Sequence, residues 1–311
     1  MAKSILVAGG AGFLGHHLCK RLIDEGHDVF VVDNLCTGFE DNVIDKSKYE
    51  VCDIQQRWSS FSTRKYDIIY NLACPASPVA YQSMPIQTTL TSVVGTNNLL
   101  ELARLNNAVF VQASTSEVYG EPLHSPQHES NRSHVNPYGP RSNYDSGKMA
   151  AEALCYDYKN QYNMSVRVMR IFNCFGPRMA PNDGRVVSNF IVQSLTGRPI
   201  TIYGSGMQTR SFCYVDDLID GFVKLGFKDS WEHGPVNVGN PEERTVSSLA
   251  YSIIGMVGNG TVHHMPMPQD DPSRRCPDIT LAKRELGWSP KVTLEAGLEK
   301  TIEWFRSVRN K

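Results

Sequence analysis

Ser4-Ile5-Leu6-Val7-Ala8 is an apolar run of the length of a buried strand, and Gly9-Gly10-Ala11-Gly12-Phe13-Leu14-Gly15 follows it without a gap. A helical pattern then runs from Phe13 to about Glu25. Strand, glycine turn and helix in that order form a cradle for a diphosphate. Residues without a β-carbon let backbone N–H groups approach the phosphates, which sit at the positive end of the helix. Gly9, Gly12 and Gly15 occupy the positions where this is needed.

A second strand, Asp28-Val29-Phe30-Val31-Val32, ends in Asp33, placed to accept hydrogen bonds from an adenosine ribose diol. Its carboxylate would repel a 2′-phosphate, and the neighbours Asn34 and Leu35 supply no cation. The sequence therefore favours NAD over NADP.

Strands and helices go on alternating. Strands are expected at Tyr49 to Asp53, Asp67 to Leu72, Ala108 to Ala113 and Val166 to Phe172, with helices from about Ile86 to Leu105 and around Tyr144 to Tyr162. Such alternation implies a parallel sheet with helices on both faces. The expected architecture is α/β: a Rossmann-type doubly wound sheet over residues 1–175 and a smaller α/β substrate lobe over 176–311, with segments interleaved between them. After Gly176-Pro177-Arg178 the elements shorten and Pro and Gly recur, as in a lobe whose loops line a cleft. Helices from about Val246 to Met256 and from Leu294 to Val308 give that lobe a core.

Composition sets outer limits. The 311 residues are 41% hydrophobic with a net charge of -1, so no basic excess points to nucleic acid. No run approaches the roughly 20 apolar residues of a membrane helix, and Ile5-Leu6-Val7 leads into a glycine turn rather than a cleavage site. A cytoplasmic enzyme is expected. The eight cysteines are scattered without a CxxC pair, so neither disulfides nor a zinc site is expected, and no metal is assigned. The adjacent pairs His16-His17 and His263-His264 read as solvated or capping residues.

The chemistry is carried by Tyr144-Asp145-Ser146-Gly147-Lys148 and by Thr115-Ser116-Glu117. Four residues apart on a helix, Tyr144 and Lys148 share a face, where the ammonium is expected to favour the phenolate. A tyrosine tuned in this way takes a proton from an alcohol. A surface pair would be the plainer reading, but the glycine turn upstream places this pair in a dinucleotide enzyme.

In these motifs the chain resembles extended short-chain dehydrogenase/reductases that act on nucleotide sugars, and within them the UDP-glucuronate decarboxylases. The resemblance also rests on Leu72-Ala73-Cys74-Pro75-Ala76-Ser77-Pro78, Asn173-Cys174-Phe175-Gly176-Pro177-Arg178, Asn182-Asp183-Gly184-Arg185, Tyr203-Gly204-Ser205-Gly206, Gln208-Thr209-Arg210 and Gln269-Asp270-Asp271-Pro272 with Arg275. It implies a catalytic set of Thr115, Glu117, Tyr144, Lys148 and Arg275. Tyr144 would oxidise the sugar at C4 with NAD, Lys148 would hold the phenolate and the nicotinamide ribose, and Thr115 would bond the reacting hydroxyl. Glu117 would orient the sugar and manage the proton at C5, while Arg275 would approach the sugar carboxylate.

For the cofactor the resemblance implies Gly9, Gly12, Phe13 and Leu14 at the phosphates, and Asp33, Asn34, Thr37, Gly38, Asp53 and Ile54 toward the adenosine. Leu72, Ala73, Thr91 and Ser114, with Tyr144 and Lys148, complete that surface. Substrate contacts are implied for Pro75, Tyr81, Asn173, Arg185, Arg210 and Arg275, arginine being suited to phosphate by its paired donors. Arg178 is expected to pair with a neighbouring acid. The implied substrate is UDP-glucuronate, and the implied assembly is a homodimer built on the helices around Ile86 to Leu105 and Tyr144 to Tyr162, with Ala150, Ala151, Ala153 and Leu154 at the contact.

The same scaffold runs 4,6-dehydratases and 4-epimerases. Ser116 stands where a dehydratase has an acid, which argues against dehydration, whereas a 4-epimerase remains the alternative activity. A silent NAD-binding sensor or scaffold is the alternative outside enzymes, and retention of Thr115, Tyr144 and Lys148 argues against it. The chain departs from the decarboxylase pattern at Ser146, where a glutamate is usual, and at Leu90, where a lysine is.

Overall fold

The computed structural model describes residues 1–56, 60–267 and 274–309. Strand β1 (Ser4–Ala8) sends Ile5 and Val7 to one face and Leu6 and Ala8 to the other, and all four are buried. A strand covered on both faces reads as a continuous apolar run, because the period of two has no polar side to show. β2 (Asp28–Asp33) repeats the arrangement with Val29 and Val31 against Phe30 and Val32. β3 (Tyr49–Val51), β4 (Ile68–Asn71), β5 (Val109–Thr115) and β6 (Val166–Ile171) follow. Next come the short β7 (Cys174–Phe175), β8 (Ile200–Tyr203), β9 (Thr209–Ser211), β10 (Cys213–Tyr214) and β11 (Val236–Val238).

Seven of these strands form one parallel sheet in the order β11-β6-β5-β4-β1-β2-β3. The chain steps outward from β1 to β3 and then returns to β4 on the other side of β1, where Ala8 pairs with Val32 and with Asn71. The crevice beyond the carboxyl ends of β1 and β4 is therefore the topological switch point, where ligands of such sheets bind. β11 supplies the seventh strand from beyond residue 175.

Helix α1 (Phe13–Asp24) starts directly after the glycine turn. Proline opens both α2 (Pro78–Ser83) and α3 (Pro85–Leu90). A π turn over Thr91–Gly95 then leads into α4 (Thr96–Asn106), so the single helix expected over this segment is instead one run with a bulge. Tertiary contacts account for the bulge: Asn98 Nδ2 donates to the carbonyls of Ile54 and Gln55 at 3.0 and 2.9 Å, and Ile54 presses on Gly95, where a Cβ would lie 2.6 Å from Ile54 Cδ1. α5 (Ser142–Tyr162) carries the Tyr-Lys pair, and α4 with α5 covers one face of the sheet through Leu99, Leu100, Ala103 and Cys155.

Past α6 (Val186–Leu195), helix α7 (Val215–Phe227) covers the opposite face beside α1 through Leu218, Phe222 and Leu225. The apolar cluster on that face continues without a break into α8 (Val246–Val257) and, past α9 (Thr280–Leu286), into α10 (Leu294–Arg309). β9 pairs with β12 (Glu243–Thr245) antiparallel, β8 pairs with β13 (Val262–Met265) in parallel, and β14 (Arg274–Arg275) adds to the other side of β9. Among the described residues no helix is long and apolar enough to cross a membrane.

Candidate active site

The glycine turn has the shape a diphosphate requires. Gly9 takes φ +82°, and a Cβ there would lie 2.8 Å from the backbone of Leu72 and Ala73. A Cβ on Gly15 would sit 2.1 Å from the Gly9 carbonyl oxygen. Gly12 precedes α1 without a side-chain cap, leaving the first-turn N–H groups of that helix for a ligand. Phe13, Leu14 and Leu72 line the same cleft.

Asp33 closes β2 and is buried. Its Oδ2 accepts from Ala11 N at 3.0 Å and its Oδ1 from Leu35 N at 2.8 Å. Burial raises its carboxyl above the ordinary range although both amides oppose the shift. An ionised carboxylate keeps lone pairs beyond those two bonds, so a ribose diol fits there. Asn34 donates to Asp53 Oδ2 at 3.1 Å, and Gly38 packs on Asp33. Asp53, the buried Ile54 and Thr91 gather around Gln55, whose N–H bonds Asp53 at 2.9 Å and whose side chain reaches Thr91 Oγ1 at 3.3 Å. Thr37 is exposed at the cleft, while Ala73 backs Gly9.

One cleft of ≈ 580 Å³ joins this surface to the sugar end. Thr115, Glu117, Tyr144, Lys148, Ser114, Tyr81, Asn173, Arg185 and Arg210 all line it. Arg275 and Pro75 are buried behind its wall. Lys148 Nζ donates to Ala113 O at 2.9 Å and stands 6.0 Å from the centre of the Tyr144 ring. This corrects the electrostatic expectation for the pair. Burial pushes the Tyr144 phenol above its usual range, neighbouring Cys74 adds to the rise, and the Thr115 hydrogen bond and Arg185 oppose it. The ammonium donates to a carbonyl beside the ring, and burial outweighs its charge at the phenol. The Tyr144 ring stacks on Tyr81 with centres 4.9 Å apart and planes 8° from parallel.

Glu117 follows β5 in a short 3-10 turn that Thr115 caps, its hydroxyl accepting from Glu117 N at 3.2 Å. Arg275 reaches the Glu117 carboxylate from β14 at 3.3 and 3.4 Å, because β14 pairs with β9 and sets Arg275 beside Arg210. Arg141, which sequence reasoning missed, donates to Oε2 of that carboxylate, the oxygen that Arg275 Nη2 also reaches. Burial alone would raise the Glu117 carboxyl, but Arg275, Arg141 and Arg210 hold it down at about 2. Asp145 goes the other way: burial and the negative charge of Glu117 raise it to about 7 against Arg141, whose Nε lies 3.7 Å away. The signal that was available for Arg141 was its place three residues before Tyr144, on the same helical face.

The remaining residues divide by occupancy. Asn173 Nδ2 is a buried donor that bonds no acceptor among the described residues, and it stands at the cleft wall where a ligand acceptor suits it. Arg185 is clamped by Asp183 through two bonds of 2.5 and 2.6 Å, so its fork already has an acid. Arg178 bonds the Asp41 carbonyl and Asn42 Oδ1, both at 3.2 Å, rather than an acidic side chain. His16 is buried against Asn42 O at 2.7 Å and His17 bonds Pro177 O at 2.9 Å, so neither is solvated. Ser114 Oγ donates to Glu152 at 2.5 Å. The segment Gln269-Asp270-Asp271-Pro272 lies outside the described residues. Among the described residues no cluster of His, Cys, Asp and Glu could hold a metal ion.

A model of the NAD dependent epimerase/dehydratase family matches residues 5–239. UDP-glucuronic acid decarboxylase 1 of Xenopus tropicalis is 50% identical over 308 residues, covering 98% of this chain and 72% of that protein. The protein of the same name from Danio rerio is 50% identical over 307 residues, covering 97% and 72%. A UDP-glucose 4-epimerase from Thermotoga maritima, solved with UDP-glucose, matches the fold with a TM-score of 0.91 at 30% identity, over 98% of this chain and 99% of that one.

Proposed function

Because the chain belongs to the NAD dependent epimerase/dehydratase family, we propose that it is an NAD-dependent UDP-glucuronate decarboxylase, a carboxy-lyase that forms UDP-xylose and carbon dioxide. The observation that carries the reading is the ionised Glu117, held between Arg275 and Arg141 on the wall of the cleft that Tyr144 also lines. The fold does not separate the candidate chemistries, since the T. maritima 4-epimerase shares it. Identity does favour one of them: 50% to the decarboxylases against 30% to that epimerase.

Gly9, Gly12, Phe13 and Leu14 would hold the NAD diphosphate and Asp33 the adenosine ribose, with Ser114 and Lys148 at the nicotinamide end. Bound NAD supplies an acceptor for the hydrogen at sugar C4 and returns it at the end of the cycle. Tyr144 takes the proton of the C4 hydroxyl, which Thr115 orients. A ketone at C4 makes the C5 carboxylate a β-keto acid. Carbon dioxide then leaves, its bonding electrons pass into the C4–C5 enolate, and Tyr144 can donate to the enolate oxygen. Glu117, as a carboxylate, accepts from the sugar and orients a water, solvent supplying the proton that C5 takes in place of carbon dioxide, and Arg275, from behind the wall, holds Glu117 in place. Asn173 and Arg210 face the diphosphate. Arg185 meets it only by sharing a fork with Asp183.

Incubation with UDP-glucuronate and NAD, followed by NMR, tests the reading. UDP-xylose and carbon dioxide are the expected products, whereas UDP-galacturonate would identify an epimerase. The assembly we infer is a homodimer on α3 to α5, where Ile86, Leu90 and Val94 form an exposed apolar stripe at i, i+4 and i+8. Sedimentation at the 34.7 kDa of one chain would refute it.

A further inference from the structure

Arg141 lies where the two halves of the reaction meet. Its carbonyl accepts from Tyr144 N at 3.1 Å and Asp145 N at 3.0 Å, so its backbone is fixed as the first anchor of α5. Its guanidinium donates to Glu117 Oε2, and its carbon centre stands 5.9 Å from the Tyr81 ring. Tyr81 in turn stacks on Tyr144. One side chain thus touches both the acid assigned to C5 and the aromatic ring that buttresses the residue assigned to C4. The Arg141 side chain is 13% exposed and lines the cleft, unlike Arg275, which grips the same carboxylate from behind.

Resting on the decarboxylase reading, we propose that Arg141 is a positioning residue for C5 chemistry. It fixes the Glu117 carboxylate on the cleft side, and Asp145, 3.7 Å from its Nε, holds the guanidinium in that pose. The arrangement is specific to arginine. Its planar fork can face an acid on each side while its flat surface lies toward an aromatic ring, and an ammonium offers neither property. The charged and titratable groups facing Glu117 are Arg275 from β14, Arg210 from β9, and Arg141, Tyr144 and Asp145 from α5. Among the described residues, removing Arg141 leaves Glu117 with Arg275 and Arg210, which pair across β14 and β9.

The test compares wild type, Arg141→Gln and Arg141→Lys, all with NAD and UDP-glucuronate. For Arg141→Gln, kcat for carbon dioxide release should fall about 100-fold with KM changed less than about threefold, the pattern of a group that matters after binding. Its kcat profile should move up by about one pH unit, since Glu117 and Asp145 both lose the same cation. Absorbance at 340 nm should build up in a single turnover, because C4 is oxidised while the later steps lag. Arg141→Lys should recover about tenfold of the lost rate by restoring the charge without the fork. Loss of kcat in a folded Arg141→Gln protein with an unmoved pH profile and no transient absorbance would mean a merely structural role and overturn the proposal. Wild-type rates in both variants would overturn it as well. If wild type itself releases no carbon dioxide, the functional reading fails, a result distinct from either.

Discussion

Glu117 and Asp145 share Arg141 yet are driven in opposite directions, and the consequence for stability can be worked out. Glu117, held down at about 2 against an ordinary 4.5, stabilises the fold above its ordinary value and loses that contribution as pH falls toward 2. Asp145, raised to about 7 from 3.8, does the reverse. Between those values the folded chain holds a proton that the unfolded chain has released, so stability declines as pH climbs through this window. Asp145→Asn cannot ionise and escapes the decline. Its stability relative to wild type should therefore improve by about 1–3 kcal/mol between pH 5 and pH 8 in urea titrations. An offset that does not vary with pH would show that Asp145 ionises normally. At this scale the sequence offered Tyr144 and Lys148 through their spacing and Thr115 and Glu117 through the resemblance, and the fold brings all four to one cleft. Arg141 was hidden because its role depends on an acid 24 residues away. The tuning of Tyr144 was misread because spacing shows that Lys148 is near but not how deeply the fold buries the phenol.

At the scale of elements, the glycine turn is where local backbone and function coincide. Gly15 lies on α1 with Gly9 and the buried Gly10 directly beneath it, and a methyl group there would stand 2.1 Å from one carbonyl oxygen and 2.6 Å from Gly10 Cα. Both neighbours are backbone, so the turn itself must shift. Gly15→Ala should cost about 2–4 kcal/mol in urea unfolding and weaken NAD binding at least tenfold by fluorescence titration. Near wild-type affinity would mean that the cradle tolerates displacement and is not the diphosphate site. Strands β1 and β2 were legible because apolar residues fill both faces, and β4, β5 and β6 because each carries buried apolar residues in the alternating order of strands and helices. β7, β9, β10, β11 and β14 were not, since a strand of two or three residues carries no period. The π turn at Thr91–Gly95 was equally hidden, as its cause is the loop of Ile54 and Gln55 packed against it.

At the scale of the molecule, β9 and β14 must be registered against the sheet that carries the glycine turn. Arg275 bridges them across 158 residues of chain, and a buried polar knot fixes its strand. Cys276 N bonds Gln127 Oε1 at 2.7 Å, Asn237 Nδ2 bonds Gln127 O at 2.9 Å, and Tyr119 OH, at the end of the turn bearing Glu117, bonds Asn237 Oδ1 at 2.7 Å. The Glu117–Arg275 contact is thus both part of the site and a weld between β14 and the end of β5, and a double-mutant cycle reads the weld. Glu117→Gln leaves the 2%-exposed Arg275 without its carboxylate, the only one bonded to it among the described residues. Arg275→Met leaves Glu117 with Arg141 still bonded. The glutamate change should accordingly cost more, about 3–5 kcal/mol against about 1–3. The double variant should be more stable than the sum of the two losses by about 1–3 kcal/mol, since the second change removes the orphaned charge left by the first. Urea unfolding at pH 8, where both Glu117 and Asp145 are ionised, measures all three. Additivity within about 0.5 kcal/mol would mean that the two side chains do not interact in the folded chain, and β14 would then owe its registration to the Gln127–Asn237 knot and the apolar core alone.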